Sequence, residues 1–200
     1  FLAALALVAC AGCGTSRSTT PFGHGVRDDD EVAVSAVSRR LAAAGEAAPA
    51  ARPVVLGVGT SPSSLWAYDL EAQRLLWNEP TELDAQPYLC GNYVVAQEGP
   101  DAVVRRLSNG TITTRVPDRE LALVGAAGEG EVGALVLSTT SGGANVSSTL
   151  ILLSGGSPSA RIEVEQALGR PAVHAGLVFI PWAHQNVSVL DPASGTEVAR

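Results

Sequence analysis

The side chains in this sequence with the most reactive chemistry are three cysteines, Cys10, Cys13 and Cys90, and three histidines, His24, His174 and His184. A thiol can be acylated, oxidised to a disulfide or bound to metal, and an imidazole can ligate metal or carry a proton. Spacing narrows these options. His174 and His184 flank the apolar run Leu177 to Ile180, so a strand there holds them at opposite ends, and a shared zinc site is not expected. His24, in Gly23-His24-Gly25, reads as a solvated tether residue. Cys90, in Leu89-Cys90-Gly91, stands at the mouth of a strand and reads as a buried structural thiol, with pairing to Cys13 left open. No serine occupies a Gly-x-Ser-x-Gly elbow, so hydrolase chemistry has no support. The residues thus offer no catalytic constellation, no metal site and no cofactor site.

Cys10 and Cys13 have a different context. Phe1 to Ala9 is an uncharged apolar run that reaches both cysteines and then turns polar at Gly14-Thr15-Ser16. Nine residues are too few to span a bilayer, which takes about 20, so the run reads as the end of a secretory leader. Leu7-Val8-Ala9-Cys10 resembles a bacterial lipobox, in which the cysteine carries diacylglycerol. Cys10 is the favoured lipidation residue and Cys13, after Ala11-Gly12, the alternative. Multiple acyl chains on one cysteine give stable attachment, so a membrane-tethered protein with a water-soluble body is expected. The chain starts at Phe1 and has no methionine, and it is expected to be processed or part of a longer protein.

Composition excludes one large class. All 13 basic residues are arginine, and 20 acidic residues leave a net charge of -7. Without a basic stripe such a chain is repelled by phosphate backbones, so nucleic-acid binding is not expected. The 46% hydrophobic content suits a chain that buries a core. After a polar tether, Asp28-Asp29-Asp30-Glu31 precedes Val34, Val37 and Leu41 at helical spacing, predicting an amphipathic helix over about 30–45 within a 14–52 connector. The acidic cluster suits the first turn of a helix and lacks the alternation and glycine of a calcium loop. An alanine- and proline-rich linker follows, and the folded body is expected over 53–200.

That body has an all-β signature: short runs of valine, leucine and isoleucine bounded by Gly, Ser, Asn and Pro. A further helix is conceivable only over Val164 to Leu168. Four segments, starting at Val54, Asn92, Gly133 and Gly176, each read as strand, polar loop, strand, tight turn, strand. The residues opening the tight turns, Asp69, Arg106, Leu153 and Asp191, are separated by 37, 47 and 38 positions. A period near 40 with several strands per unit predicts a β-propeller. Three blades and most of a fourth are expected, with the last unit stopping mid-blade and the native protein continuing beyond it.

The run Ala67-Tyr68-Asp69-Leu70-Glu71-Ala72-Gln73-Arg74-Leu75-Leu76-Trp77 resembles the tryptophan-docking motif of quinoprotein-like (PQQ-like) propeller repeats, with Ala67, Asp69 and Trp77 on its defining positions. The family's turn is Asp-x-x-Thr-Gly. The fourth unit keeps Asp191, Ser194 and Gly195, the second keeps only Gly110, and the first has Ala72 and Gln73 instead. Thr114 and Ala199 replace the tryptophan in the second and fourth units. A quinone-dependent dehydrogenase of this fold would carry an adjacent cysteine pair, and there is none. Propeller repeats on a lipoprotein resemble the accessory lipoproteins of outer-membrane β-barrel assembly. That resemblance implies a non-catalytic scaffold in the bacterial envelope, anchored by lipid in the outer membrane and facing the periplasm, whose protein partner is the β-barrel insertase. A quinone- or sugar-binding envelope enzyme, and a surface adhesin or sensor, are the alternatives.

Overall fold

The computed structural model describes residues 21–22, 30–45, 53–117, 120–139, 146–183 and 185–200. Four antiparallel sheets follow one another along the chain. The first contains β1 (Val54–Thr60), β2 (Ser63–Asp69) and β3 (Arg74–Pro80). The second contains β4 (Tyr88–Cys90), β5 (Tyr93–Glu98), β6 (Asp101–Arg106) and β7 (Ile112–Pro117). The third is built from β8 (Leu121–Glu129), β9 (Val132–Thr139), β10 (Ser148–Ser154) and β11 (Ser157–Val164). The fourth is built from β12 (Ala172–His174), β13 (Leu177–Trp182), β14 (Asn186–Leu190) and β15 (Glu197–Ala199). In each, strands pair in sequence order as a meander, and this is the blade architecture of a partial β-propeller.

Burial explains why the middle strands are continuous apolar runs. A strand buried on one face alternates, whereas one buried on both faces does not. In β5, Tyr93 and Val95 pack toward the third sheet while Val94 and Ala96 pack toward the first. Strand β9 sends Leu135 and Leu137 to the second sheet and Ala134 and Val136 to the fourth. Strand β10 repeats this with Ile151 and Leu153 against Leu150 and Leu152. The core is therefore a series of layers between consecutive blades.

Two expectations are corrected. The short blade among the described residues is the first, with three strands, and the fourth carries four instead of stopping mid-blade. The sequence segments began at β1, β5, β9 and β13 and missed the inner strands β4, β8 and β12, because two of these are only three residues long. Strands β4 and β12 are too short for alternation to register and β8 is rich in alanine and glycine, yet each is joined to the next strand by a two-residue turn: Gly91-Asn92, Gly130-Glu131 and Ala175-Gly176. The second correction concerns Val164 to Leu168, which is not helical. Val164 ends β11, and Leu168 forms an isolated bridge to Trp182.

The helix α1 (Glu31–Gly45) is capped by Asp30, whose Oδ1 accepts a bond from the Ala33 N–H at 3.0 Å. Ala33 and Val37 pack on the outer face of the fourth blade, against Leu177, Val189 and Ala199. Arg40 donates to the carbonyls of Ala175 and Gly176 at 2.8 and 3.2 Å, tying the helix to the β12–β13 turn. None of its residues is fully buried, and no helix among the described residues is long and apolar enough to cross a membrane.

If the inter-blade layers carry the stability, Leu150→Ala should cost about 2–5 kcal/mol, because Leu150 is 0% exposed between blades three and four. Leu70→Ala, at a half-exposed turn position, should stay within about 0.5 kcal/mol. Urea denaturation of both variants checks the contrast.

Candidate functional site

The residues of the repeat motif converge on the tight turns that join the last two strands of each blade. Asp69 Oδ1 accepts bonds from the N–H groups of Glu71 and Ala72 at 3.0 and 2.9 Å. Asp191 does the same in the fourth blade, accepting from Ala193 and Ser194 at 2.8 and 3.1 Å. These two bonds hold the Asp191 carboxyl below the ordinary value of 3.8. In the second blade Arg106 cannot accept in this way, and Asn109 Oδ1 caps Thr111 N–H instead at 3.1 Å. These three turns thus use an acceptor side chain to satisfy their own backbone.

The glycines in these turns have a second role. Gly110, Gly156 and Gly195 take φ of 73°, 78° and 71°, and each receives a side chain from the preceding blade. Trp77 lies on Gly110, where a Cβ would stand 2.8 Å from the indole ring, and its Nε1 donates to the Leu107 carbonyl at 2.7 Å. Gly156 receives the Tyr93 ring together with the Thr113 hydroxyl, and the Thr114 hydroxyl donates to the Gly156 carbonyl at 2.9 Å. Gly195 receives Ala160 and Ile162. Thr114 and Ala199 pair with Val104 and Val189, as Trp77 pairs with Ala67, and a bulge adjoins all three pairs. The motif residues Ala67, Asp69, Trp77, Gly110, Asp191 and Gly195 are therefore placed at blade turns and blade-to-blade contacts.

Sequence reasoning missed the lock between the second and third blades. Tyr93 is buried, its hydroxyl donates to Glu131, and Asn92 Nδ2 donates to the other Glu131 oxygen at 2.7 Å. The Arg106 guanidinium lies 5.4 Å from the Tyr93 ring centroid. Burial, followed by the Glu131 bond, raises the Tyr93 hydroxyl above its ordinary value, while the Tyr93 and Asn92 bonds lower the Glu131 carboxyl. Also missed was Arg105, buried in β6, which forks onto Glu98 at 2.7 and 3.0 Å and donates to the Gly110 carbonyl at 3.0 Å. Neither could be read from spacing alone, because their partners meet only through strand register or blade stacking.

The other candidates are dispersed. Cys90 is a buried free thiol that donates to the Ala127 carbonyl at 3.0 Å, and burial raises it to about 12, far from a reactive thiolate. His174 lies at the end of β12, 3.5 Å from Glu129. His184, His24, Cys10 and Cys13 lie outside the described residues. Among the described residues no group of three or more His, Cys, Asp or Glu side chains is placed to hold a metal. Val178, Ile180 and Trp182 are buried toward the third blade, so the apolar run there is not an exposed patch.

Exposed apolar surface occurs instead on the first blade. Val55 and Leu75 are 40% and 53% exposed on its outer face, where the Trp66 ring lies across Gly57. Beside β1 runs a groove of about 360 Å³, with Leu56, Gly57 and Val58 on one side and Gln86, Pro87 and Leu89 on the other. Its lining has no charged residue.

No family model and no curated protein matches this chain. Among solved structures it is similar to the computationally designed Ika8 protein, with TM-score 0.50 and 14% identity, over 74% of this chain and 46% of that one. It is also similar to BamB from Moraxella catarrhalis, with TM-score 0.48 and 15% identity, over 70% of this chain and 41% of that one. Hsv2 of Kluyveromyces lactis aligns with TM-score 0.35 and 7% identity, over 70% of this chain and 58% of that one. The chain spans less than half the length of the first two. At these identities the likeness concerns fold.

Gln73 stands where the second and fourth blades have Gly110 and Gly195, and it takes φ of 50°. A side chain in the left-handed region costs about 1–2 kcal/mol, partly offset by the greater unfolded-state entropy of glycine. Gln73→Gly is expected to stabilise the fold by about 0.5–1 kcal/mol, read as a rise in the urea midpoint at unchanged slope.

Proposed function

We propose that this chain is part of a non-catalytic bacterial envelope lipoprotein, a propeller scaffold that binds other proteins and acts in outer-membrane β-barrel assembly. The observation that carries the reading is how its polar side chains are used. Asp69, Asp191, Trp77, Arg105 and Tyr93 all bond within the fold, to turn backbone or to a neighbouring side chain. The groove beside β1 is lined by uncharged, largely apolar residues, which suits protein ligands better than a charged small molecule. The lipobox-like Leu7-Val8-Ala9-Cys10 supports the envelope placement, and the motif around Asp69 and Trp77 supports the propeller lipoprotein resemblance.

The anchor is tested by fractionating cells that express the full-length tagged protein. Cys10→Ser is expected to shift it from membrane to soluble fraction and Cys13→Ser to leave it in place. The reverse result assigns Cys13, and membrane retention of both variants sinks the lipid anchor. The scaffold is tested by in-cell cross-linking and identification of what co-purifies from outer-membrane extracts. Recovery of the β-barrel insertase supports the reading, and purification without it but with a bound quinone or sugar overturns it in favour of a ligand-binding protein.

A further inference from the structure

We propose that Asn109 is a site of spontaneous main-chain modification, a deamidation whose rate is set by the docking of Trp77 on the neighbouring glycine. Of the five asparagines in the sequence, Asn78, Asn92, Asn109, Asn145 and Asn186, only Asn109 is followed by glycine. A glycine nitrogen carries no side chain beside it to hinder attack on the preceding side-chain amide, so Asn109-Gly110 is the reactive pair. The reaction needs only water. The Gly110 nitrogen bonds to Asn109 Cγ and loses its proton, and the side-chain nitrogen leaves with that proton as ammonia. Water then opens the cyclic imide at one carbonyl or the other, leaving aspartate or isoaspartate at position 109.

The turn prepares one partner of this reaction and restrains the other. Asn109 is exposed, so water reaches it. Its Oδ1 accepts from the Thr111 N–H at 3.1 Å and from the Thr111 hydroxyl at 2.7 Å. Two donors on that oxygen draw charge from Cγ and stand where negative charge develops as the nitrogen adds. The nucleophile is held back. The Gly110 N–H donates to the Arg106 carbonyl at 2.8 Å, and the Asn109 N–H approaches the same oxygen at 3.4 Å. This helical turn aims the Gly110 N–H at Arg106, away from the Asn109 side chain, and keeps its proton engaged.

Docking holds that turn in place. The buried Trp77 ring lies on Gly110, and its Nε1 donates to the Leu107 carbonyl inside the same turn at 2.7 Å. Arg105 adds a bond to the Gly110 carbonyl at 3.0 Å. Gly110, at φ of 73°, therefore turns its nitrogen toward Asn109 Cγ only when the first and second blades part locally at this turn. Isoaspartate inserts an extra carbon into the main chain ahead of Gly110, so the Arg106 to Gly110 bond and the bed for Trp77 do not re-form in register. The modification is thus a one-way loosening of the contact between the first two blades, entered from its open state.

The test incubates the full chain at mildly alkaline pH and follows position 109 by peptide mapping and mass spectrometry, beside a synthetic peptide of residues 104–115. Deamidation at Asn109 is expected in both, slower in the folded chain by about tenfold or more. Trp77→Phe, which keeps a ring but loses the Leu107 bond, should move the folded rate toward that of the peptide, and Trp77→Ala should move it further. Leu150→Ala weakens a different blade contact and should leave the rate unchanged. Urea denaturation checks that each variant folds, and Trp77→Phe serves if Trp77→Ala does not. A folded chain that reacts as fast as the peptide, or not at all while the peptide reacts, overturns the proposal. Equal acceleration by Leu150→Ala also overturns it, because global unfolding then exposes the site. Aged wild-type protein should show a urea midpoint that falls with its isoaspartate content, and an unchanged midpoint sinks the one-way loosening.

Discussion

Each of the four blades has two faces that carry apolar side chains, and a sheet removes neither of them from water without a neighbour. The layers between consecutive blades are what resolve this, and the turn glycines set how closely the blades approach. At Gly110 an added Cβ would meet the Trp77 ring, and at Gly156 it would meet Tyr93. A buried aromatic side chain contributes on the order of 2–3 kcal/mol by area alone, so docking of this kind is a large part of each interface. The same glycines need positive φ, so turn shape and blade spacing depend on one residue type at one position.

That dependence explains which parts of the architecture were legible. Asp69, Trp77, Gly110, Asp191 and Gly195 formed a recognisable pattern because turn chemistry and docking are local requirements with fixed spacing. The runs Tyr93–Ala96, Ala134–Leu137 and Leu150–Leu153 marked strands but gave no alternation, because both of their faces are buried. Strands β4 and β12, three residues each, were too short to leave a periodic signal. The two-residue turns before β5 and β9, led by Gly91 and Gly130, were the available clue to a fourth strand per blade. Arg105 with Glu98, and Tyr93 with Glu131, were not legible. They are separated in sequence by 7 and 38 positions, and only the strand pairing or blade stacking brings them together.

The docking side chain is not one residue type, and the substitutions are compensated. Where the second blade has Thr114 in place of tryptophan, Tyr93 from another strand supplies the ring against Gly156, and the threonine hydroxyl bonds the turn carbonyl. Where the third blade has Ala160, the aliphatic Ile162 and Leu152 fill the space against Gly195. Volume at the interface is thus retained while its chemistry changes, as close-packed interiors require. Motif degeneracy in such repeats therefore marks repacking of an interface and says little about a change of function.

The ends of the blade series are treated unequally. The fourth blade's outer face is partly covered by α1, through Ala33, Val37 and two Arg40 bonds to a turn. The first blade instead presents Val55 and Leu75 on its face. Protection of edges usually takes the form of charge, proline or a covering element, and β1 carries neither charge nor proline within Val54–Thr60. Its two glycines, Gly57 and Gly59, leave the edge lightly covered by side chains. Strand β1 therefore borders the groove with main chain and small or apolar side chains and brings no charge to it.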